Sequence, residues 1–109
     1  MIKCYNSLPN SNQINEQTVV RLLVEQDPSP MKLEVLNVDD WPLVHEKQGV
    51  SHKTNSNTET SYIVSGAGEI STLEGEKITF AQGDLITVMP DTECTWNITE
   101  AIDRHYYNG

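Results

Sequence analysis

Cys94 and Trp96 are the two residues whose types and spacing first suggest chemistry. They stand two positions apart in the run Cys94-Thr95-Trp96-Asn97-Ile98, so a regular strand presents both on one face. A cysteine thiolate is a nucleophile or a metal ligand beside a positive or metallic neighbour, and elsewhere the residue is a small buried hydrophobe. A tryptophan on such a face either packs in the core or stacks on a ligand ring or sugar. Both interpretations of each residue stay open.

Tyr62 and Lys53 add to a possible binding site for a small polar molecule. Tyr62 allows the same two interpretations as Trp96. Lys53 meets a substrate carboxylate, pairs with Glu59 or simply lies on the surface. We predict Trp96, Tyr62 and Lys53 as the substrate-binding residues.

Common catalytic motifs are absent from the sequence. It contains no GxGxxG, P-loop, GxSxG or HExxH pattern, so nucleotide binding by the common loops and serine or zinc protease chemistry have no motif behind them. Cys4 and Cys94 lie near opposite ends of the chain and form no CxxC pair, which favours free thiols. His45 and His105 lie in polar surroundings, where a histidine is usually solvated or hydrogen-bonded.

Length and charge restrict the class of protein. A chain of 109 residues fits one domain. Its 16 acidic and 7 basic residues give a net charge of −9, which disfavours binding to nucleic acid or to an anionic membrane but leaves a basic protein partner open. There is no long apolar run and no apolar stretch of the signal-peptide type at the start, so we expect a cytoplasmic location.

The first thirty residues differ from the rest in amino-acid composition and pattern. Residues 1–17 are rich in Asn, Gln and Ser and indicate an arm, while the β-branched run at 18–24 predicts a strand that extends a sheet or pairs across a dimer. We therefore expect a homodimer. Ser29-Pro30 has the form of a helix N-cap followed by proline at the first helical position, and predicts a short helix.

Short strands dominate the sequence from Asp40 onward. Runs of Val, Ile, Thr and Tyr alternate with Gly, Asn, Asp and Pro, a pattern typical of an all-β sandwich or barrel. The predicted strand segments are 62–65, 69–72 beyond Gly66-Ala67-Gly68, 77–80, 85–89, 94–98 and 101–107.

Two motifs in this part of the chain carry a resemblance to a known family. Glu59 is followed at the expected distance by Gly66, and His52-Lys53-Thr54 stands where an HxH triplet is expected; a second motif maps onto Gly83 through Ile98, with Cys94 at its histidine position. Over residues 33–108 the sequence resembles the cupin superfamily, whose fold is a double-stranded β-helix, or jelly-roll barrel. The resemblance implies an all-β single domain, with residues 1–30 as an arm carrying one strand and 31–109 as the cupin barrel.

Three further features narrow the resemblance. The sequence resembles small monocupins of the ethanolamine-utilisation and ureidoglycine-aminohydrolase type. The features that carry this resemblance are the Cys-x-Trp at position 94, Trp41-Pro42 and the closing Arg104-His105-Tyr106. That group contains enzymes, metabolite-binding proteins and members without an assigned activity, so the resemblance does not choose between these functions.

The resemblance also implies a metal site. His52, Glu59 and Cys94 would be the ligands of one divalent ion, which would be zinc, iron, nickel or manganese, with Thr54 as a weak substitute for the second histidine. Val50 would share the face of His52, which favours an inward histidine, whereas a shift of one residue sends His52 outward and Lys53 inward.

Three functions follow as alternatives. The first is a binding protein that holds a small polar metabolite in the barrel mouth. The second is a metal-dependent hydrolase or isomerase that uses the incomplete His52, Glu59 and Cys94 site. The third is a structural or regulatory dimeric barrel.

Overall fold

Antiparallel strands make up most of residues 20–109, the part of the chain that our computed structural model describes. The elements are β1 (Leu22–Glu25), α1 (Pro30–Val35), a 3₁₀ turn (Val38–Asp40), β2 (Leu43–Glu46), β3 (Gly49–Lys53), β4 (Glu59–Thr72), β5 (Lys77–Ala81), β6 (Leu85–Val88) and β7 (Cys94–Asn108). The predicted all-β class is confirmed. The predicted arm at 1–17 and Cys4 lie outside the described residues.

Two long strands, β4 and β7, organise the sheet. The first part of β4 pairs with β6, which also pairs with β1, and the last part of β7 pairs with β2. The other ends of these long strands have different neighbours, because β5 pairs with β4 and β3 pairs with β7. All of these pairings are antiparallel. β4 and β7 pair with each other along almost their whole length, so they belong to both halves of the barrel.

β4 is one strand of 14 residues, where the sequence indicated two segments separated by Gly66-Ala67-Gly68. The register of β4 against β7 shifts at three places between Ile63 and Gly68. These irregularities bend the strand without ending its pairing, which is what β-bulges do. Gly66 has φ +95°, and a Cβ there would lie 2.2 Å from the carbonyl oxygen of Ala101, so only glycine fits.

The inward faces of the strands form the core. Its buried members are Leu22, Ile63, Ile70, Phe80, Ile86, Val88, Cys94, Trp96, Ile98 and Ile102. Along β7 the buried side chains fall on even positions, which follows from the two-residue period of a strand. The same period places Arg104 and Tyr106 on the inner side of β7.

The segment before the barrel strands is tied to the sheet. β1 extends the sheet beside β6, which is one of the two arrangements expected for residues 18–24. The carboxylate of Glu76 accepts hydrogen bonds from the backbone N–H groups of Arg21 and Leu22. The short helix α1 begins as predicted, with the Ser29 hydroxyl accepting the N–H of Lys32 at 3.1 Å. Within residues 20–109 no helix is long and apolar enough to cross a membrane.

Candidate functional site

Arg104 is a buried cation on the inner side of β7. Its side chain is 6% exposed and lies between two carboxylates. Nε and Nη2 donate to Oε2 of Glu46 at 2.9 and 2.8 Å, and Nη1 donates to the Ser61 hydroxyl at 2.7 Å. Nη1 also lies 3.5 Å from Oε2 of Glu59. A buried charge needs such partners, and Arg104 has them on two other strands, β2 and β4.

Two aromatic rings flank the cations of the interior. The guanidinium carbon of Arg104 lies 4.9 Å from the centre of a Trp96 ring and 5.2 Å from that of Tyr106. The Lys53 ammonium lies 5.6 Å from the Trp96 ring centre. These separations fall in the range of cation–π attraction. Trp96 is 1% exposed and also packs on Phe80, so it forms the floor beneath the cations and does not reach the barrel mouth.

Lys53 and Glu46 form a second ion pair at the side of Arg104. The ammonium nitrogen of Lys53 lies 3.3 Å from Oε1 of Glu46, and the two side chains are 29% and 16% exposed. Burial alone would raise the pKa of Glu46, but hydrogen bonding from Arg104 and the charges of Arg104 and Lys53 outweigh it and hold the pKa below its ordinary value. Glu46 is therefore ionised at neutral pH and holds both cations.

An open cleft of about 590 Å³ lies above these groups. Its lining is polar and includes both ends of each ion pair, and it consists of Val44, Glu46, His52, Lys53, Thr54, Asn55, Glu59, Arg104, Tyr106 and Asn108. Lys53 and Arg104 supply two positive charges, and Glu46 and Glu59 supply two negative ones. The floor of the cleft is therefore close to neutral although it is highly charged.

A second cleft of about 310 Å³ adjoins the first. Glu46 and Lys53 line both clefts, and the remaining walls of the second come from residues 47–51 and Ile98. The Glu46–Lys53 ion pair therefore stands between the two spaces.

Of the three predicted substrate-binding residues, Lys53 and Trp96 are brought together, and their role in binding remains a prediction. Tyr62 is not brought to them. Its neighbours Ser61 and Ile63 point inward, so alternation turns Tyr62 to the outer face. There it lines a groove of about 610 Å³ next to α1, together with residues such as Leu33 and Val38.

The expectation that His52 points inward is wrong. Val50 and His52 share a face as expected, but that face is the outer one, where Val50 is 63% exposed. Nδ1 of His52 lies 3.0 Å from the hydroxyl of Thr95, its cross-strand partner. Pairing with β7 sets this register, because it places Lys53 opposite Cys94 on the inner face. His52 therefore reaches only the rim of the cleft.

The side chains of Glu59 and Cys94 are buried, but within residues 20–109 the structure does not bring them together with His52 as three metal ligands, and the metal site stays a prediction. Oε1 of Glu59 accepts a hydrogen bond from Asn55 at 3.1 Å, and Oε2 faces Arg104. The pKa of Cys94 is raised from 9.0 to about 11. Burial is the largest cause, and the negative charges of Glu59, Glu76 and Glu74 add to it. In the described part of the chain no three His, Cys, Asp or Glu side chains converge as metal ligands.

This donor set does not fit a divalent ion as it stands. The Arg104 guanidinium already occupies the side of Glu59 that faces the interior, and His52 lies on the outer face of β3, so the three side chains are not placed to share one ion.

The other two histidines are hydrogen-bonded, as expected. Nδ1 of His45 lies 2.8 Å from Oδ1 of Asp103, and Nδ1 of His105 lies 3.0 Å from the Trp41 carbonyl oxygen. The hydrogen bond from His45 is the main reason that the pKa of Asp103 lies below its ordinary value. Both histidines lie away from the cleft.

Sequence reasoning missed Glu46, Asn55 and the role of Arg104. One signal was available for Arg104, since it continues the even-numbered inward series that includes Ile98 and Ile102 on β7. A charged residue in such a series needs a buried partner, so it marks an interior polar site.

Comparisons with known proteins identify a matching family and several similar structures. The model of the EutQ-like cupin domain matches residues 33–106. A DUF861 family protein from Thermotoga maritima has a similar structure, with a TM-score of 0.77 and 31% identity, covering 81% of this chain and 99% of that one. A comparison with curated proteins finds no match.

Two EutQ structures are more distantly similar. The EutQ protein of Clostridium difficile has a TM-score of 0.54 and 19% identity, covering 59% of this chain and 50% of that one. A protein assigned as ethanolamine utilization protein Q from Salmonella typhimurium has a TM-score of 0.54 and 14% identity, covering 59% and 51%. The chain thus matches about half the length of each, and at these identities the likeness concerns the fold alone.

Proposed function

The chain belongs to the EutQ-like cupin domain family, and from this premise we propose that it is a small cupin that binds a small polar metabolite in the cleft above Arg104. The fold itself does not decide the function, because functions are carried by sites. The observation that supports binding is the buried Arg104, held between Glu46 and Glu59 at the floor of an open cleft of about 590 Å³.

An ionic interior is a poor way to stabilise a barrel. Taking charges out of water costs free energy that their mutual attraction only partly returns, and well-packed apolar residues are often as stabilising. The Trp96 ring beside Arg104 belongs to the apolar core. The charged floor is therefore better explained by recognition of a polar ligand, since a few convergent polar groups in a cleft fix its orientation.

A metal-dependent hydrolase or isomerase is the alternative function. It would require Arg104 to leave Glu59 and His52 to turn inward from the outer face of β3, against the contacts described above. Binding requires neither change, so it is the function that the geometry supports best.

A ligand screen tests the proposal. Small polar metabolites are screened by thermal shift, and hits are measured by titration calorimetry with and without a chelator. We expect a hit whose affinity falls about 3- to 10-fold in Asn55→Ala and Tyr106→Phe, the loss of one hydrogen bond, and is insensitive to the chelator. Tyr107→Phe is the matched control, because Tyr107 is exposed and stacks on Trp41.

Two results would reject the proposal. One is a screen in which no metabolite binds the folded protein. The other is binding that Asn55→Ala and Tyr106→Phe leave unchanged, because the ligand would then occupy another surface.

A further inference from the structure

The two carboxylates of the cleft are already engaged. Oε2 of Glu46 accepts hydrogen bonds from Arg104, and Oε1 of Glu46 forms an ion pair with Lys53. Glu59 receives Asn55 on Oε1 and faces Arg104 with Oε2. A cationic ligand would have to compete for these carboxylates with a buried guanidinium, which holds its geometry through several bonds at once.

The donor groups differ, because one of them has capacity to spare. Arg104 uses Nε, Nη1 and Nη2 on Glu46 and Ser61 and is almost fully buried. Lys53 carries three N–H donors, and within residues 20–109 the carboxylate it pairs with is that of Glu46. Its side chain is 29% exposed, against 16% for Glu46, 7% for Glu59 and 6% for Arg104.

Lys53 is therefore the charged group that an incoming ligand meets first. The Trp96 ring below it attracts the ammonium without fixing its hydrogen bonds, so the ammonium is held in place while its N–H groups remain free to turn toward the ligand. If Lys53 turns away from Glu46, Arg104 still holds Glu46 through two nitrogens, so the ion pair can open without leaving a buried carboxylate alone.

We infer that the ligand is a small organic acid whose carboxylate binds the Lys53 ammonium and competes with Glu46 for it. This inference rests on the proposed function, because it names the chemical class of the molecule in the same cleft. The polar rim formed by Thr54, Asn55 and Asn108 then contacts the rest of the acid. A cleft of about 590 Å³ has room for a molecule of a few carbon atoms together with bridging water.

The test compares ligands that share a carbon skeleton and differ in charge. Straight-chain mono- and dicarboxylates of two to five carbons are titrated into the full-length protein by calorimetry at low ionic strength. The amides and amines of the same skeletons are titrated in parallel. We expect one or more acids to bind, and neither the matched amides nor the matched amines to bind.

Variants at two lysines assign the binding to Lys53. Lys53→Gln should lower the affinity for the acid at least 10-fold, and Lys53→Arg should retain most of it because the positive charge stays. Lys47→Gln is the matched control, since Lys47 lines the adjoining cleft and not the first one, and should change the affinity less than twofold. Circular dichroism and the melting temperature of each variant show whether it is folded.

The outcomes separate this inference from the proposed function. If amines or amides bind in the cleft and the acids do not, the protein is a metabolite-binding cupin and the inference about the acid is wrong. The inference is equally wrong if the acids bind Lys53→Gln as tightly as the wild type. If neither this series nor the wider screen yields a ligand, the proposed function fails as well.

Discussion

Arg104 holds the interior of the barrel together, because Glu46 and Glu59 would face a low-dielectric space without it. Its bonds to Glu46 and Ser61 join β7 to β2 and to β4. Removing one member of such a cluster leaves a charge that is buried and unpaired, which costs much more than the intact cluster contributes.

We expect Arg104→Met to lower the free energy of unfolding by roughly 3–5 kcal/mol. The double variant Arg104→Met/Glu46→Gln should recover part of this loss, because Glu46 loses both of its bonds to Arg104 in the single variant. Urea denaturation of the single and double variants measures both effects. Lys77→Met breaks an exposed ion pair with Glu69 and serves as the control, with an expected loss below about 1 kcal/mol. A loss for Arg104→Met as small as that of the control would contradict this account.

Cys94 is expected to be an unreactive thiol at neutral pH. Its pKa of about 11, against an ordinary 9.0, lowers the thiolate fraction at pH 8 by ~100-fold. In a Cys4→Ser background, Cys94 should therefore react with a disulfide reagent at least ~100-fold more slowly in the folded protein than in urea, with a rate that rises as the pH approaches about 11. Equal rates in the two states at pH 8 would show that the thiol is neither buried nor shifted.

The sequence predicted part of the site at the level of single residues. Lys53 and Trp96 were predicted as site residues, and they lie together in the interior. His52 was expected inward because Val50 shares its face, but the choice of face is set by pairing with β7, which adjacent residues do not reveal. Arg104 becomes interpretable only with its partners Glu59 and Glu46, which are 45 and 58 positions away in the chain.

At the level of elements, the Gly66-Ala67-Gly68 segment shows what sequence can and cannot give. Glycines between two β-branched runs indicate an interruption, and the structure has one, but it is a series of bulges within β4. A turn and a bulge need the same residue types, and only the partner strand distinguishes them. The long β7 was predicted as two runs, 94–98 and 101–107, and the structure joins them into one strand.

Gly66→Ala is expected to destabilise the protein by roughly 2–5 kcal/mol, because the new side chain both strains the backbone at a positive φ and clashes with neighbouring atoms. The added Cβ would lie 2.2 Å from the Ala101 oxygen and 2.6 Å from a methyl group of Ile102. Gly75→Ala is a close control, because Gly75 has a similar φ of +98° but nothing within 4 Å of its Cβ position. The difference between the two variants in chemical denaturation isolates the clash, and identical losses would exclude it.

For the whole molecule, the spacing of short strands predicted the all-β class, and the family match agrees with it. The sequence did not choose among a metabolite-binding protein, a metalloenzyme and a structural dimer, because one barrel can carry each of these functions. The choice among these functions depends on which side chains point inward, and that information comes from the pairing of distant strands.

Homodimer formation stays a prediction. About half of the surface of the large apolar residues Leu23, Leu43 and Tyr107 is exposed, which is compatible with a partner surface. Sedimentation equilibrium at micromolar concentration should give twice the mass of one chain. A monomer mass across the concentration range would remove the dimer from consideration.

The sharing of β4 and β7 has a consequence for how the molecule opens. Strands that pair only at one end of a barrel can fray independently, but each of these strands, 14 and 15 residues long, carries hydrogen bonds to both halves. Breaking their pairing in one half therefore loosens the other, and local opening merges with global unfolding.

Amide hydrogen exchange would reveal this coupling. Protected amides at both ends of β4, such as those of Ser61 and Ile70, should exchange with one common free energy that equals the global value. Amides of the short β1 should exchange faster, because within residues 20–109 β1 pairs with β6 over four residues. Two separate exchange classes within β4 would mean that the barrel unfolds in halves, and that its binding cleft could unfold while the rest of the core stays folded.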